Sequence, residues 1–394
     1  MKRALPRLVA PFSLLLPALF LALLVPAPAA SQADGDPVTL GTYRVLHSDL
    51  LEEDRLLQVH VPRGYEAGSL SYPVVYVFYS DWVEGYFAQL VNDLDLLSED
   101  RMPPAILVGV PNVQRYRDLL PWPRSGTHTG EGHAEVFLRF VREELVPWVD
   151  AQYRTKPYRV MVGPQAAGVF GVYTLLEAPG TFQAFILNDP CMVDQPGRSL
   201  CRDLVHFSST PAAQGTFFAV SDAAGEKNAR DTGRLEELRV GLMTGAGEGF
   251  RWRMDLDPSW PFFLAPVQAR PALLELFADY PFPSPGEARG LPQIQAHYDS
   301  VSASHGFTVE PPDLVLTLAA NGLMERGEHP AALQVFTRLT ELYPESLNGP
   351  WGLANLHRAM GDTAAAIRYY EECVRRDPNL TPAREWLSRL RGGG

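Results

Sequence analysis

The sequence is short of basic residues. Its 34 Lys and Arg stand against 46 Asp and Glu, which gives a net charge of −12 over 394 residues, and no segment clusters positive charge. Binding along a nucleic-acid backbone needs clustered Lys and Arg. The composition therefore predicts no nucleic-acid partner, while 46% hydrophobic and 20% charged residues exclude a globally disordered chain.

Cysteine is also scarce, with three residues in the chain. Cys191 and Cys201 lie ten positions apart, and Cys373 lies far away on an expected helix. In an oxidising compartment the first two could bridge a loop, whereas as small buried apolar residues they would need no bridge. The sequence leaves both alternatives open.

No segment has the ligand spacing of a metal site. The nearest approach is a Gly-rich stretch in which His128 and His133 alternate with Glu131 and Glu135. That spacing differs from the helical i, i+4 histidine pair of zinc proteases, which favours a solvated loop. We predict no metal and no cofactor.

The N-terminus has the pattern of a targeting segment. Basic residues precede an apolar run at 8–25, after which Ala27, Pro28 and Ala29 give a small-x-small motif. This pattern predicts a cleavable signal peptide over 1–29, and hence export to the periplasm or the extracellular space. The alternative is an N-terminal membrane anchor, because 18 apolar residues approach the length that spans a bilayer.

Two folded units are expected from the length, since single cores stop growing near about 250–300 residues. From 38 to 283, β-rich runs alternate with helical patterns, which predicts an α/β fold with a mostly parallel sheet. A Pro/Gly-rich connector is expected over 284–312. An all-helical unit is expected over 313–394.

The helical unit contains an internal repeat. Gly327, Ala332 and Pro344 recur as Gly361, Ala366 and Pro378, each displaced by 34 residues. This is the period of the tetratricopeptide repeat, in which paired helices pack through small residues. We predict two repeats and a capping helix, and a protein partner that binds through them.

One stretch has the layout of a catalytic turn. In "YRVMVGPQAAGVFGVYTLL", at 158–176, a β-rich run leads into Gly163, and a helical pattern follows Gly168. Strand, sharp turn and helix are the parts of the nucleophile elbow of α/β-hydrolases, which presents a serine at its apex. Here the apex residue is Gln165.

Longer segments carry a family resemblance. They are "LLQVHVPRGYEAGSLSYPVVYVFYSD", "PPAILVGVPNVQRYRDLLPW", "AEVFLRFVREELVPWVDAQYRTKPYRVMVG" and "IQAHYDSVSASHGFTVEPPDLVL". With these segments the chain resembles the putative-esterase family of α/β-hydrolases, the enterochelin-esterase and esterase D-like group, in the form with C-terminal tetratricopeptide repeats. The resemblance implies an α/β-hydrolase fold and a serine hydrolase that acts on esters without a cofactor.

The catalytic residues that the resemblance implies are incomplete. The family elbow reads like G-H-S-x-G-G, and this chain has Pro164, Gln165 and Ala167 where histidine, serine and a glycine would stand. The base is expected within 254–277, which contains no histidine and has Trp260 near the place of the imidazole. Acyl transfer needs a serine and its base together.

Other parts of the site are expected to survive. Asp222 or Glu226 would supply the acid, and backbone groups at Ala166 and Ser80 would form an oxyanion hole. A residual binding site would then be formed by side chains around the elbow, and these are Gln165, Asn112, Arg115 and Trp260. Asn112 and Arg115 belong to a charged loop after a buried strand, where ion pairing is the expected role of Arg117 and Asp118.

The sequence thus supports two functions. The first is an exported esterase fold without catalysis, which binds or scaffolds; its ligand would be a small ester, a carboxylate or a peptide-like molecule. The alternative is an active serine-type carboxylic ester hydrolase, for which a serine such as Ser80 and a histidine must come from elsewhere in the chain.

Overall fold

The structure is a computed structural model, and it describes residues 39–79, 84–111, 114–123, 132–190, 195–221, 229–256 and 269–392. Eight strands of this part form one sheet in the order β1-β2-β4-β3-β5-β6-β7-β8. The strands are β1 (Thr42–Ser48), β2 (Glu53–His60), β3 (Tyr72–Tyr79), β4 (Ile106–Pro111), β5 (Thr155–Pro164), β6 (Ala184–Asn188), β7 (Phe217–Ser221) and β8 (Arg251–Asp255).

The sheet is antiparallel at one edge and parallel elsewhere. β1 pairs antiparallel with β2, and β2 pairs antiparallel with β4, whereas every later pair is parallel. The strands buried on both faces read as unbroken apolar runs, as β3 does with all eight residues buried. The predicted α/β fold with a mostly parallel sheet is confirmed.

Helices lie between the strands, and further helices follow the last strand. We call the eight strands and the helices up to α8 the sheet unit. Those of the sheet unit are α1 (Glu84–Leu97), α2 (Arg115–Asp118), α3 (Ala134–Phe140), α4 (Val146–Gln152), α5 (Ala166–Glu177), α6 (Gln195–Phe207), α7 (Ala229–Gly245) and α8 (Ala269–Leu276). A π-helical turn joins α3 to α4. The later helices are α9 (Leu291–His305), α10 (Asp313–Glu325), α11 (His329–Leu342), α12 (Asn348–Ala359), α13 (Thr363–Arg376) and α14 (Thr381–Gly392).

The helix ends follow from local sequence. α9 has a proline in its first turn and ends at Gly306, which adopts a positive φ of 72°. Asp362 caps α13 by accepting a hydrogen bond from the Ala365 N–H at 3.0 Å. Among the described residues no helix is long and apolar enough to cross a membrane.

Alternate residues of the central strands enter two apolar cores, one on each face of the sheet. Tyr76 and Phe78 of β3 pack with α3, α5, α6 and α7. Val75 and Val77 of the same strand enter the other core, which also contains side chains of α1 and α8. This two-sided burial follows from the period of two in a strand.

The second core does not stop at the sheet unit. It runs without interruption from β3 through α9 into α10, α11 and α12, where Leu316 and Leu339 are fully buried. Arg326 at the end of α10 donates hydrogen bonds to the Gly286 and Ala288 carbonyls at 2.7 and 2.6 Å. The first repeat pair, α10 and α11, is therefore packed onto the sheet unit by a shared core.

The last helices have a small core of their own. Side chains of α12, α13 and α14 form a separate cluster that includes Tyr370, Cys373 and Leu387. Burial raises the pKa of the Cys373 thiol to about 12, so this free cysteine is protonated and acts as an apolar side chain. Asp313, where the helical unit was predicted to begin, is the first residue of α10; the division into domains stays a prediction.

We expect the shared core to make the sheet unit and the first repeat unfold together. Leu316→Ala should lower the free energy of unfolding by about 2–5 kcal/mol, because it leaves a cavity in a buried site. Hydrogen exchange followed by mass spectrometry should then show faster exchange in β5 as well as in α10.

Leu387→Ala in the small core is the matched control. Its effect on exchange should stay within α12, α13 and α14. Unchanged β5 protection in the Leu316→Ala protein would show that the repeats and the sheet unit are energetically independent.

Candidate functional site

The candidate site is centred on the turn between β5 and α5. Gln165 alone forms this turn, with φ 51° and ψ −115°. Its N–H donates to the Asn188 carbonyl at 2.7 Å, and its carbonyl accepts from the Val169 N–H at 3.0 Å. The turn is therefore bonded on one side to the end of β6 and on the other to its own helix.

Two glycines permit the close approach of strand and helix at this turn. A Cβ added at Gly163 would lie 2.8 Å from the Ala167 carbonyl, and one at Gly168 would lie 2.9 Å from the Asn188 carbonyl oxygen. Neither distance is sterically acceptable. The backbone of a nucleophile elbow is thus retained, although its apex carries an amide.

The elbow is conformationally strained. A non-glycine residue at a positive φ costs about 1–3 kcal/mol and persists only where the surroundings enforce it. Gln165 shares this feature with Asp189, which follows β6 and also has φ 51°. Because β5 and β6 are paired in parallel through Pro164 and Asn188, the two strained residues lie side by side at one edge of the sheet.

A small polar network joins the strand ends beside the elbow. The Asn188 amide donates to the Ser221 hydroxyl at 2.8 Å, and the Asp189 N–H donates to the Ser221 carbonyl at 2.9 Å. Asn188 and Ser221 are buried, whereas Asp189 is half-buried. We did not predict Asp189 as a site residue, although its place directly after a buried strand could have indicated it.

The chemistry available at the apex is that of a neutral amide. The Gln165 side chain is half-buried and offers an amide donor and a carbonyl acceptor, neither of which ionises at ordinary pH. Ala166 is buried in the first turn of α5, where backbone N–H groups have no partner within the helix. Such an arrangement can bind a carbonyl or a carboxylate, but its apex cannot form a covalent acyl intermediate.

An ion-pair network fixes the loop after β4. Asp118 is 1% exposed and accepts from Arg55 at 2.7 Å and from Arg117 at 2.6 Å. Glu53 closes the network by pairing with the same two arginines at 2.6 and 2.7 Å. The Arg55 guanidinium also lies 5.4 Å from the centre of the Phe137 ring. Arg117 and Asp118 therefore have the structural role expected of them.

The same loop is bonded to the start of α3. The His133 N–H donates to the Arg117 carbonyl at 2.6 Å, and the Ala134 N–H donates to the Leu120 carbonyl at 3.2 Å. Arg115 is half-buried in this loop, with its guanidinium 4.7 Å from the centre of the Tyr116 ring. Its predicted part in binding stays a prediction.

Several predicted site residues lie outside the described part of the chain. They are Ser80, Asn112, His128, Glu131, Cys191, Asp222, Glu226 and Trp260. Of the predicted set the structure brings Gln165 and Ala166 together at the elbow. Cys201, for which the sequence left a bridge and a small buried apolar role as open alternatives, is disulfide-bonded. Within the described ranges no cluster of His, Cys, Asp and Glu could hold a metal ion.

The connector histidines have structural contacts. His305 Nε2 lies 2.9 Å from Asp279 Oδ1, and the ring packs 5.7 Å from that of Tyr158. Desolvation raises the pKa of Asp279, but hydrogen bonds from Ser304 and His305 outweigh it and hold the pKa below its usual range. Tyr158 lies on β5, seven residues before Gln165, and the rise of a strand makes this separation about 20 Å.

Comparisons with known proteins agree with this geometry. The model of the putative-esterase family matches residues 48–260, and a tetratricopeptide-repeat model matches residues 351–390. Ferri-bacillibactin esterase BesA from Bacillus subtilis is 29% identical over 137 residues, which are 30% of this chain and 47% of that protein. The chain spans about half the length of the curated relatives it matches.

Solved structures show the same fold. An IroE-like serine hydrolase from Shewanella oneidensis superimposes with a TM-score of 0.65 at 21% identity, over 76% of this chain and 99% of that one. An uncharacterised protein from Capnocytophaga ochracea superimposes with a TM-score of 0.57 at 16% identity, over 89% and 99% of the two chains. At such identities the likeness concerns the fold.

The ion-pair network should contribute strongly to stability. Asp118→Asn keeps the shape of the side chain but removes the more deeply buried of the two carboxylates that pair with the buried Arg55. We expect the free energy of unfolding in urea to fall by about 3 kcal/mol.

The exposed pair of Arg139 and Glu143, 3.2 Å apart, supplies the comparison. Glu143→Gln should change the same free energy by about 0.5 kcal/mol or less. Equal effects of the two substitutions would show that the buried network stabilises the fold no more than an exposed ion pair does.

The strain at the apex should be measurable. Gln165→Gly relieves the unfavourable φ but adds flexibility to the unfolded chain, for a net stabilisation of about 1 kcal/mol. Gln165→Ala retains the strain and should leave the unfolding midpoint near that of the original protein. If the Ala and Gly proteins unfolded at the same urea concentration, the strain would be absent.

Proposed function

The chain belongs to the putative-esterase family, and from that membership we propose that it is a member without acyl transfer, which serves as a binding module. The observation that carries the proposal is Gln165 at the apex of an elbow whose backbone is otherwise complete. The family model covers residues 48–260 and so includes the whole elbow.

Loss of the nucleophile removes the covalent step. Ester hydrolysis at such a site begins with attack by a serine oxygen whose proton is taken by a neighbouring imidazole. A glutamine amide nitrogen is neither basic nor readily deprotonated, so it cannot replace that oxygen. The remaining groups can stabilise a bound carbonyl but cannot start the reaction.

Loss of the base supports the same conclusion independently. The sequence from Met254 to Phe277, where the family base is expected, contains no histidine. His305, which is paired with Asp279, belongs to the connector and lies beside the opposite end of β5. Two changes at separate positions argue for a lost reaction more strongly than either change alone.

The proposed ligand is a small ester, a carboxylate or a peptide-like molecule held at the elbow. Gln165 would donate to or accept from it, and the N–H groups at the start of α5 favour a negatively polarised oxygen. The names of the similar proteins, which include a ferri-bacillibactin esterase and two siderophore hydrolases from Aspergillus nidulans, make siderophore esters a candidate class.

The helical unit has a second role in the proposal. Tetratricopeptide repeats stack helices into surfaces that bind proteins, and the repeat model matches residues 351–390. We propose that this unit binds a protein partner and that the chain is exported by its N-terminal segment. The sheet unit and the repeats would then act as one rigid scaffold because they share a core.

The alternative is an active serine-type ester hydrolase. It requires a nucleophile such as Ser80 and a histidine at a new position, and no contact of the described residues favours it. We therefore retain it as the hypothesis that the activity assay must exclude.

The assay compares three forms of the mature protein on p-nitrophenyl acetate. The original chain should hydrolyse the ester no faster than its Gln165→Ala variant, because neither has a nucleophile at the apex. Gln165→Ser should also remain inactive, because its base is missing. Turnover by the original chain above the rate in buffer without protein would refute the loss of catalysis, whichever serine supplied it, and turnover by Gln165→Ser alone would show that a base is present.

A further inference from the structure

The β1–β2 edge of the sheet carries a cleft that the functions above do not use. The cleft has a volume of about 380 Å³, and it is lined by residues 40–43, Gln58 of β2, and Gly85, Phe87 and Ala88 of α1. This volume lies within the range of small-molecule sites in proteins. We call it the Tyr43 cleft.

The Tyr43 cleft is separate from the elbow. In the sheet, β2 is three strands away from β5, with β4 and β3 between them, and β1 is one strand further. Neighbouring strands are about 4.8 Å apart, so Gln58 lies about 14 Å or more from β5. A small ligand in the cleft would therefore not contact Gln165.

A chain of hydrogen bonds fixes a donor in the cleft. The buried Tyr79 hydroxyl donates to the Gln58 side-chain oxygen, which orients the Gln58 amide. The amide nitrogen donates in turn to the Tyr43 hydroxyl at 2.9 Å. The Tyr43 oxygen is thus an acceptor, and no described residue accepts its hydrogen. Because Tyr43 is 59% exposed, a ligand can supply that acceptor.

The walls of the cleft are preformed. The Phe87 ring packs on Gly109 of β4, where an added Cβ would lie 2.7 Å from the ring. His60 joins the start of β1 to α1, since its Nδ1 donates to the Leu40 carbonyl at 3.0 Å and its Nε2 lies 3.1 Å from an Asp95 oxygen. Preformed walls reduce the conformational entropy that is lost on binding.

Small residues of α1 keep the cleft open. Gly85 and Ala88 are three positions apart and hence lie on one face of the helix. A Cβ added at Gly85 would have no described atom of another element within 4 Å. The space beside Gly85 therefore has room for a side chain or for part of a ligand.

The lining indicates the chemistry of the ligand. Among the described residues that line the cleft none carries a charge, so an ion would lose hydration without gaining a counter-charge. A purely apolar molecule would cover the Tyr43 hydroxyl and the Gln58 amide without replacing their hydrogen bonds to water. The rings of Tyr43 and Phe87 offer flat apolar contacts. An uncharged ring that carries a hydrogen-bond acceptor satisfies these three conditions.

We propose that the Tyr43 cleft binds a small uncharged aromatic molecule, with an amide or hydroxyl oxygen of that molecule accepting a hydrogen bond from the Tyr43 hydroxyl. The ring of the ligand packs against Tyr43 and Phe87. This site is independent of the ligand proposed for the elbow and of the partner proposed for the repeats.

The test titrates 4-fluorobenzamide with the mature chain and follows the fluorine resonance of the ligand by NMR. The dissociation constant should be on the order of 1 mM, as expected of so small a ligand. 4-Fluorobenzoate has the same ring with a carboxylate. It should bind at least about tenfold more weakly, because no described residue of the lining offers it a positive charge.

Gly85→Leu should abolish the binding of 4-fluorobenzamide, because the leucine side chain occupies the open space of the cleft. Gly233→Leu is the matched control. It makes the same change at a glycine of α7 that also has open space around its Cβ, and it should alter the affinity less than about twofold. Melting curves verify that both variants stay folded.

Tyr43→Phe keeps the ring and removes the donor. The affinity for 4-fluorobenzamide should fall about fivefold, because one hydrogen bond is lost. Tyr369→Phe removes a tyrosine hydroxyl from α13 instead, and it should leave the affinity unchanged.

Four outcomes would overturn the proposal. They are absence of binding to the original chain, unchanged binding to the Gly85→Leu protein, equal affinities for the amide and the carboxylate, and equal affinities of the Tyr43→Phe and Tyr369→Phe proteins. Gln165→Ala should still bind 4-fluorobenzamide. Loss of binding in that variant together with retention in Gly85→Leu would place the ligand at the elbow, and the Tyr43 cleft would then have no role.

Discussion

The backbone conformation of Gln165 is the constraint on which the site depends. Gln165 has a positive φ although it is not a glycine, and the contacts of Gly163 with Ala167 and of Gly168 with Asn188 enforce this conformation. The turn thereby fixes the positions of β5, α5 and β6 relative to one another. In a hydrolase this strain presents a nucleophile to the substrate. Here the same geometry presents the Gln165 amide at the apex.

The elbow also stabilises the fold, which explains why its backbone is retained. Its glycines and the Gln165 N–H join the end of β6 to the first turn of α5. The opposite face of the sheet shares its apolar core with the repeats, which extends the scaffold to α12. This shared packing stabilises the sheet and the first repeat together, independently of any chemistry at the elbow.

Much of the fold could be predicted because its signals are periodic. The two-sided burial of β3 gives an unbroken apolar run, and the 34-residue repeat marks the helix pairs. β6 and β8 were not predicted: β6 is a five-residue apolar run that pattern alone cannot distinguish from a buried helix, and β8 alternates charged and apolar side chains. The core that the sheet unit shares with the repeats could not be predicted, because sequence patterns do not show which apolar faces pack against each other. Asp189 was missed because it directly follows β6, which was not predicted as a strand.

The most direct test of the central claim is the intact mass of the mature protein after incubation with diisopropyl fluorophosphate, which phosphorylates activated serine hydroxyls. The account predicts an unchanged mass, because the apex of the elbow carries the Gln165 amide. A single stoichiometric adduct on one serine would contradict it, since that adduct requires an activated nucleophile elsewhere in the chain.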